Sequence, residues 1–202
     1  MFLDSGRFPA PNRLVLATTN PGKIPEFQSA LVSLSGWTVV SQPASVPPID
    51  ETGTTFIENA ILKAVHTSRF VDDLTLADDS GLCIDALDGR PGVYSARYAN
   101  TDTERIDRVL TEMAMIPDNH RTAAFVCALA LAQRGSVLWT IERKVEGAIG
   151  RERAGTNGFG YDPIFIIPKF QRTRAELTMA EKTQISHRGR ALRELADFLR
   201  SA

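Results

Sequence analysis

Cysteine is nearly missing from this 202-residue chain. Cys83 and Cys127 are the only two, far apart and set in apolar runs. They offer no disulfide framework, no CxxC redox pair and no zinc knuckle, and read most simply as buried free thiols of a reducing compartment. Histidine is scarce too: His66, His120 and His187 lack the spacing of metal ligands, which argues against zinc. No apolar run reaches the roughly 18 residues of a membrane span. The opening MFLDSGRFPAPNR has no basic start followed by an apolar stretch, so no secretory signal is legible. A soluble, cytoplasmic protein is the expectation. An excess of one charge is also lacking. The net charge of −1 leaves no global field to attract nucleic acid or an anionic membrane, while a local cationic pocket remains open. There is no internal repeat, low-complexity stretch or clear linker.

What remains is ordinary globular material. Hydrophobic residues make up 43% and charged residues 23%, and a chain of this length buries roughly 70% of its unfolded surface without a staple. Residues 1–13 read as a poorly ordered leader and 14–202 as one α/β domain. Leu14 to Thr18 is a short apolar strand, followed by Asn20-Pro21-Gly22 turn chemistry and a helical pattern at Ile24, Phe27, Ala30, Leu31 and Leu34. Thr38 to Ser41 is a second strand. Three capping boxes then announce helices: Thr55 with Glu58, Thr101 with Glu104, and Thr178 with Glu181. The first of these helices presents Ile57, Ile61, Ala64 and Val65 as its apolar face. Leu74 to Ala77 reads as a strand that Asp78-Asp79-Ser80-Gly81 stops, with Leu82 to Ile84 resuming it. Ala123 to Ala132 suits a central strand, paired through an Arg134-Gly135 turn with Val137 to Ile141, and Ile164 to Ile167 is one more. A closing amphipathic helix carries Leu192, Leu195 and Leu199.

Four segments carry candidate chemistry. The strand-to-helix junction Thr18, Thr19, Asn20, Pro21, Gly22, Lys23 suits a phosphate, because helix N-terminal amides and one ammonium converge there. It is no Walker loop: Ala17 replaces the first glycine and Ile24 the magnesium-binding hydroxyl. An ordinary turn is the plain alternative. In ADDSG, Ala77 to Gly81, adjacent carboxylates after an apolar strand suit a hard cation such as Mg2+, with Glu51 and Glu58 upstream as further oxygen ligands and Glu51 ranked the higher. Glu58 is already engaged in its capping box. Asp-Ser-Gly is also an aspartic-protease signature, but no second copy occurs, so a protease would need a symmetric dimer. A plain polar turn is a third reading. In GTNGFGYDP, glycines 155, 158 and 160 permit close backbone approach, Phe159 and Tyr161 offer flat faces to a base, and Asp162 is an acceptor beside them; a lid over the core is the alternative. In EKTQISHRGRAL, Lys182, His187 and Arg188 cluster before a helix and suit a phosphate or a polar ring edge, against a solvated helix start.

Together these are the parts of a nucleotide-hydrolysing pocket. The chain resembles the inosine triphosphate pyrophosphatase family through LATTNPGK, ETGTTFIENAILKA, ADDSGL, PGVYSARY, GFGYDPIF and ISHRGRAL, in that order from Leu14 to about Leu199. The resemblance implies an elongated, curved mixed sheet flanked by helices, in two lobes with an active-site cleft between them. It implies a magnesium-dependent homodimer that hydrolyses ITP, dITP and XTP to the monophosphate and pyrophosphate. It assigns Thr18 to Lys23 to the triphosphate, Asp79 to the metal and to proton acceptance, Glu51 to the metal, and Ser80 to the substrate. Phe159, Gly160, Tyr161 and Asp162 would enclose the base, with Lys182, His187 and Arg188 completing the nucleotide contacts. Ile141 to Gly150 receives no role. A binding module without turnover and a pyrimidine-directed pyrophosphatase stay open as rivals.

Overall fold

The computed structural model describes residues 12–18, 24, 27, 28, 31 and 36–201. Its strands are β1 (Asn12–Leu16), β2 (Trp37–Ser41), β3 (Leu74–Ile84), β4 (Thr122–Gln133), β5 (Ser136–Ile149), β6 (Phe165–Ile167) and β7 (Arg172–Thr173). Its described helices are α1 (Phe56–Thr67), α2 (Asp102–Glu112), α3 (Met179–Ile185) and α4 (His187–Ser201). The strands form one mixed sheet in the order β2-β1-β3-β4-β5-β6-β7. β1 runs parallel to β2 and β3, with Val15 opposite Val40 and Thr75; β6 runs antiparallel to β5 and β7. The predicted class, a mixed α/β sheet flanked by helices, holds.

All three predicted capping boxes form, at Thr55, Thr101 and Thr178. β1 begins at Asn12, within the stretch read as a leader, and the β4–β5 turn places Arg134 and Gly135 at φ 49° and 80°. β5 runs on to Ile149, so most of the segment Ile141 to Gly150 is strand. Two expectations need correction. The acidic pair does not stop a strand: β3 passes unbroken through Asp78, Asp79, Ser80 and Gly81. The carboxylates tolerate burial there because cations reach them from distant parts of the chain. The apolar face of α1 is also rotated. Its buried positions are Phe56, Asn59, Ala60, Ala64 and Thr67, while Ile57, Ile61 and Val65 are half-buried.

The chain divides into two compact units. The first comprises 1–79, 128–142 and 188–202. Leu14, Leu16, Phe27, Leu76, Leu129, Leu131, Leu192 and Leu195 are buried there, and Trp139 stacks on Phe198. The second comprises 80–127 and 143–187, around a cluster that includes Leu82, Ile84, Val109, Met113, Ile149, Ile164, Phe165 and Leu177. Arg121 ties this unit's backbone together. Its buried guanidinium donates to Ile149 O at 2.7 Å, Gly150 O at 2.8 Å, and also Met113 O and Ile116 O. Arg121→Met leaves those carbonyls without their donors, and each buried acceptor so orphaned costs about 1–3 kcal/mol. The expected result is an unfolding free energy lowered by about 3 kcal/mol or more, read as a lower urea midpoint with an unchanged m-value. A midpoint within about 0.5 kcal/mol of wild type contradicts this role.

Candidate active site

In the first unit, the approach to α1 and its second turn assemble a charged group. Thr55 Oγ1 accepts from Glu58 N, and Glu58 Oε2 accepts from the amides of Thr54 (2.7 Å) and Thr55 (3.1 Å). Those backbone bonds hold the Glu58 carboxyl below its ordinary pKa and confine it to the cap. Ahead of the cap, Gly53 N donates to Asn59 Oδ1 at 2.8 Å, and a Cβ at Gly53 would lie 2.7 Å from that oxygen. One turn beyond Asn59, Lys63 Nζ stands 2.7 Å from Glu51 Oε1 and 2.8 Å from Asp79 Oδ1. Burial opposes the Lys63 charge, but Asp79 and Glu51 outweigh it and keep the ammonium's pKa above its ordinary value.

Asp79 lies in mid-strand with its side chain 12% exposed. Burial pushes its carboxyl above the ordinary value, Lys63 opposes the shift, and Glu51 and Asp78 add to it. Oδ1 takes the Lys63 ammonium; Oδ2 is buried and accepts no hydrogen bond among the described residues. Asp78 is buried with Arg188 Nε 3.4 Å from its Oδ2. Thr18 follows β1, its amide on Leu16 O at 2.9 Å. Thr19, Asn20, Pro21, Gly22 and Lys23 lie outside the described residues.

These donors fit a hard divalent cation. Glu51 and Asp79 already hold a positive charge jointly, and the donorless Asp79 Oδ2 is an anionic oxygen with a lone pair to give. Among the described residues no three histidine, cysteine or carboxylate side chains are arranged to hold a metal alone.

The second unit holds the aromatic loop. Phe159 is 67% exposed, and Gly160 N donates to Asp102 Oδ2 at 3.1 Å. Tyr161 departs from the expectation of a second stacking face. Its ring belongs to the core cluster, and its hydroxyl donates to Ser95 O at 2.9 Å. Asp162 is buried with Lys182 Nζ 3.2 Å from Oδ2 and the Arg174 guanidinium on Oδ1. Lys182 Nζ also donates to Asn157 O at 3.1 Å. Gly158 sits at φ +94°, and a Cβ there would fall 2.0 Å from Asp162 Oδ2 and 2.6 Å from Lys182 Nζ. The close approach that this glycine permits is to the protein's own ion pair. His187 is buried and stacks on Phe125 at 6.1 Å between centroids. Ser80, next to Asp79 along β3, is half-buried. The sequence cluster Lys182–His187–Arg188 is thus divided: Lys182 and His187 stand with the second unit, and Arg188 meets Asp78 in the first.

Lys63 is a member of the candidate site that the sequence patterns did not single out. A lysine in an amphipathic helix reads as solvated, yet Lys63 lies in the stripe Asn59, Ala60, Ala64, Thr67, which is buried. A cation on the inward face was the available signal.

The Ham1 family's sequence profile matches residues 14–198. The chain belongs to the Ham1 family. It is similar to the dITP/XTP pyrophosphatase of Oceanobacillus iheyensis, 48% identical over 192 residues that cover 93% of this chain and 98% of that protein. The dITP/XTP pyrophosphatase of Bacillus subtilis is likewise 48% identical, over 92% of this chain and 96% of its own. Among solved structures, a HAM1 protein from Coxiella burnetii superposes with a TM-score of 0.86 at 47% identity, covering 94% of this chain and 99% of that one. The family expected from six sequence blocks is the family found, and the mixed sheet is the Ham1 sheet.

Lys63→Met leaves Glu51 and Asp79 facing each other without their shared cation. Breaking such a partly buried pair is expected to lower stability in EDTA by about 1–3 kcal/mol, read as a fall in Tm. Added Mg2+ is expected to restore part of it by supplying the missing charge. An unchanged Tm in EDTA contradicts this arrangement.

Proposed function

We propose that this Ham1 family member hydrolyses ITP, dITP and XTP to the nucleoside monophosphate and pyrophosphate, removing deaminated purine nucleotides from the pool before a polymerase uses them. The observation that carries the reading is the Glu51–Lys63–Asp79 group, with one buried Asp79 oxygen lacking a donor among the described residues. The names of the relatives at 48% identity supply the substrate class. Glu51 and Asp79 would hold magnesium, which when bound offsets phosphate charge and makes water more acidic.

The chain's own groups divide the remaining work. Asp79, which the resemblance assigns to the metal and to proton acceptance, takes the proton of a water that attacks the α-phosphorus. The bond from the α-phosphorus to its bridging oxygen breaks, and pyrophosphate leaves against Lys63 and the Thr18–Lys23 segment, with Asn20 and Lys23 prominent. Ser80 and Arg188, beside the two aspartates, contact the nucleotide. Phe159 stacks on the base, Gly160 and Tyr161 shape the loop beneath it, and Asp162 fixes Lys182. A donor from the His187–Arg188 segment rewards the 6-oxo acceptor of hypoxanthine and xanthine and penalises adenine's 6-amino group. No helix among the described residues is long and apolar enough to cross a membrane. A cytoplasmic homodimer that binds neither nucleic acid nor membrane is supported by the family resemblance and the near-zero net charge.

Pyrophosphate release from ITP, XTP, GTP, ATP and dTTP, with Mg2+ or EDTA, tests this. Release is expected from ITP and XTP with Mg2+ only, weakly from GTP and ATP, and at a rate lowered about 10²–10⁴-fold in Asp79→Asn. Release from dTTP alone, or none from any nucleotide, contradicts it.

A further inference from the structure

We propose that Arg174 is a positioning residue for base selectivity, an inference that rests on the function proposed above. Nothing in the sequence patterns pointed to it. Arg174 opens a short 3-10 turn, Arg174–Glu176, whose backbone is fixed from both sides. Thr173 caps that turn reciprocally with Glu176, and Thr173 Oγ1 donates to Ala154 O at 2.7 Å. From this anchored start the side chain runs inward, 17% exposed, and makes two contacts. Its Nη1 donates to Asp162 Oδ1. Its guanidinium carbon also lies 5.9 Å from the centroid of the Phe125 ring.

Each contact ends, one residue further on, at a group assigned to the nucleotide. Asp162 holds Lys182 through its other oxygen. Phe125 stacks on His187, with ring planes 5° apart. Arg174 thus stands behind both, touching neither. The planar guanidinium suits this double duty, since it hydrogen-bonds through its edge and lies against an aromatic ring through its face, which a lysine ammonium does less well.

Without Arg174, Oδ1 of a carboxylate that is 2% exposed loses its ion pair, and the group is free to turn. Turning moves Oδ2 off Lys182 and out of the space beside Gly158, where a Cβ would lie only 2.0 Å from that oxygen. Phe159 follows Gly158 directly, so the stacking ring moves with it. Arg174 therefore sets the register of Phe159, Lys182 and His187, and through them the choice among purines. The triphosphate chemistry at Asp79 does not run through it.

The test is steady-state kinetics of wild type, Arg174→Met and Arg174→Lys with ITP, XTP, GTP and ATP in Mg2+, alongside the Tm of each protein. For Arg174→Met the expected result is a KM for ITP raised about tenfold with kcat within about threefold, because base binding is lost equally from ground and transition states. The ratio of kcat/KM for ITP over GTP and over ATP falls about tenfold. Arg174→Lys, which keeps the charge but not the stacking plane, recovers part of both. A purely structural arginine lowers the active fraction for every nucleotide alike. Unchanged selectivity ratios in Arg174→Met therefore overturn the proposal, and if that variant fails to fold, unchanged ratios in Arg174→Lys do so. Wild-type protein that turns over no purine triphosphate overturns the function itself, and this inference with it.

Discussion

Burying two adjacent carboxylates in the middle of a strand is the constraint on which the candidate site turns. An uncompensated carboxylate inside a protein loses its hydration and neutralises or unfolds its surroundings. Asp78 and Asp79 remain in β3 because Lys63 and Arg188, far apart in the sequence, deliver an ammonium to Asp79 and a guanidinium to Asp78. The start of α1 follows from that requirement. Its capping box fixes where the helix begins, the cap consumes Glu58, and the helical repeat carries Lys63 to the inward side, where Glu51 meets the same ammonium.

The second unit meets the same problem with a different outcome. Asp162 is also buried and also lies between cations, Lys182 and Arg174, but both of its oxygens are taken. Among the described residues, Asp79 keeps one oxygen without a donor. A saturated carboxylate is a fixed strut, and an unsaturated one is a place for a cation or a proton. That contrast separates the group suited to chemistry from the group suited to holding a base reader, and Gly158 marks how tightly the strut is packed.

Local signals proved legible. The capping boxes at Thr55, Thr101 and Thr178 need only residues three apart, and the apolar run Ala123–Ala132 and the Arg134-Gly135 turn carry their own patterns. The engagement of Glu58 in its capping box was legible for the same reason. The features that escaped depend on partners distant in sequence. β3 reads as interrupted at Asp78 until Lys63 and Arg188 are placed beside it. Tyr161 reads as a base platform until Ser95, 66 residues earlier, accepts its hydroxyl. Lys63 and Arg174 carry no local signal, because their partners Asp79 and Asp162 are 16 and 12 positions away. The family itself was legible because six short blocks in fixed order carry more information than any one of them.

The most direct test concerns the open oxygen of Asp79. Bound Mn2+ would be counted by electron paramagnetic resonance in the presence of a non-hydrolysable inosine triphosphate analogue, for wild type and for Asp79→Asn. The expected result is about one ion per chain in wild type and at least tenfold weaker binding in the variant, since Mn2+ takes the same oxygen ligands as magnesium. Equal binding by the two proteins would contradict the assignment of Asp79 as the residue around which this site is built.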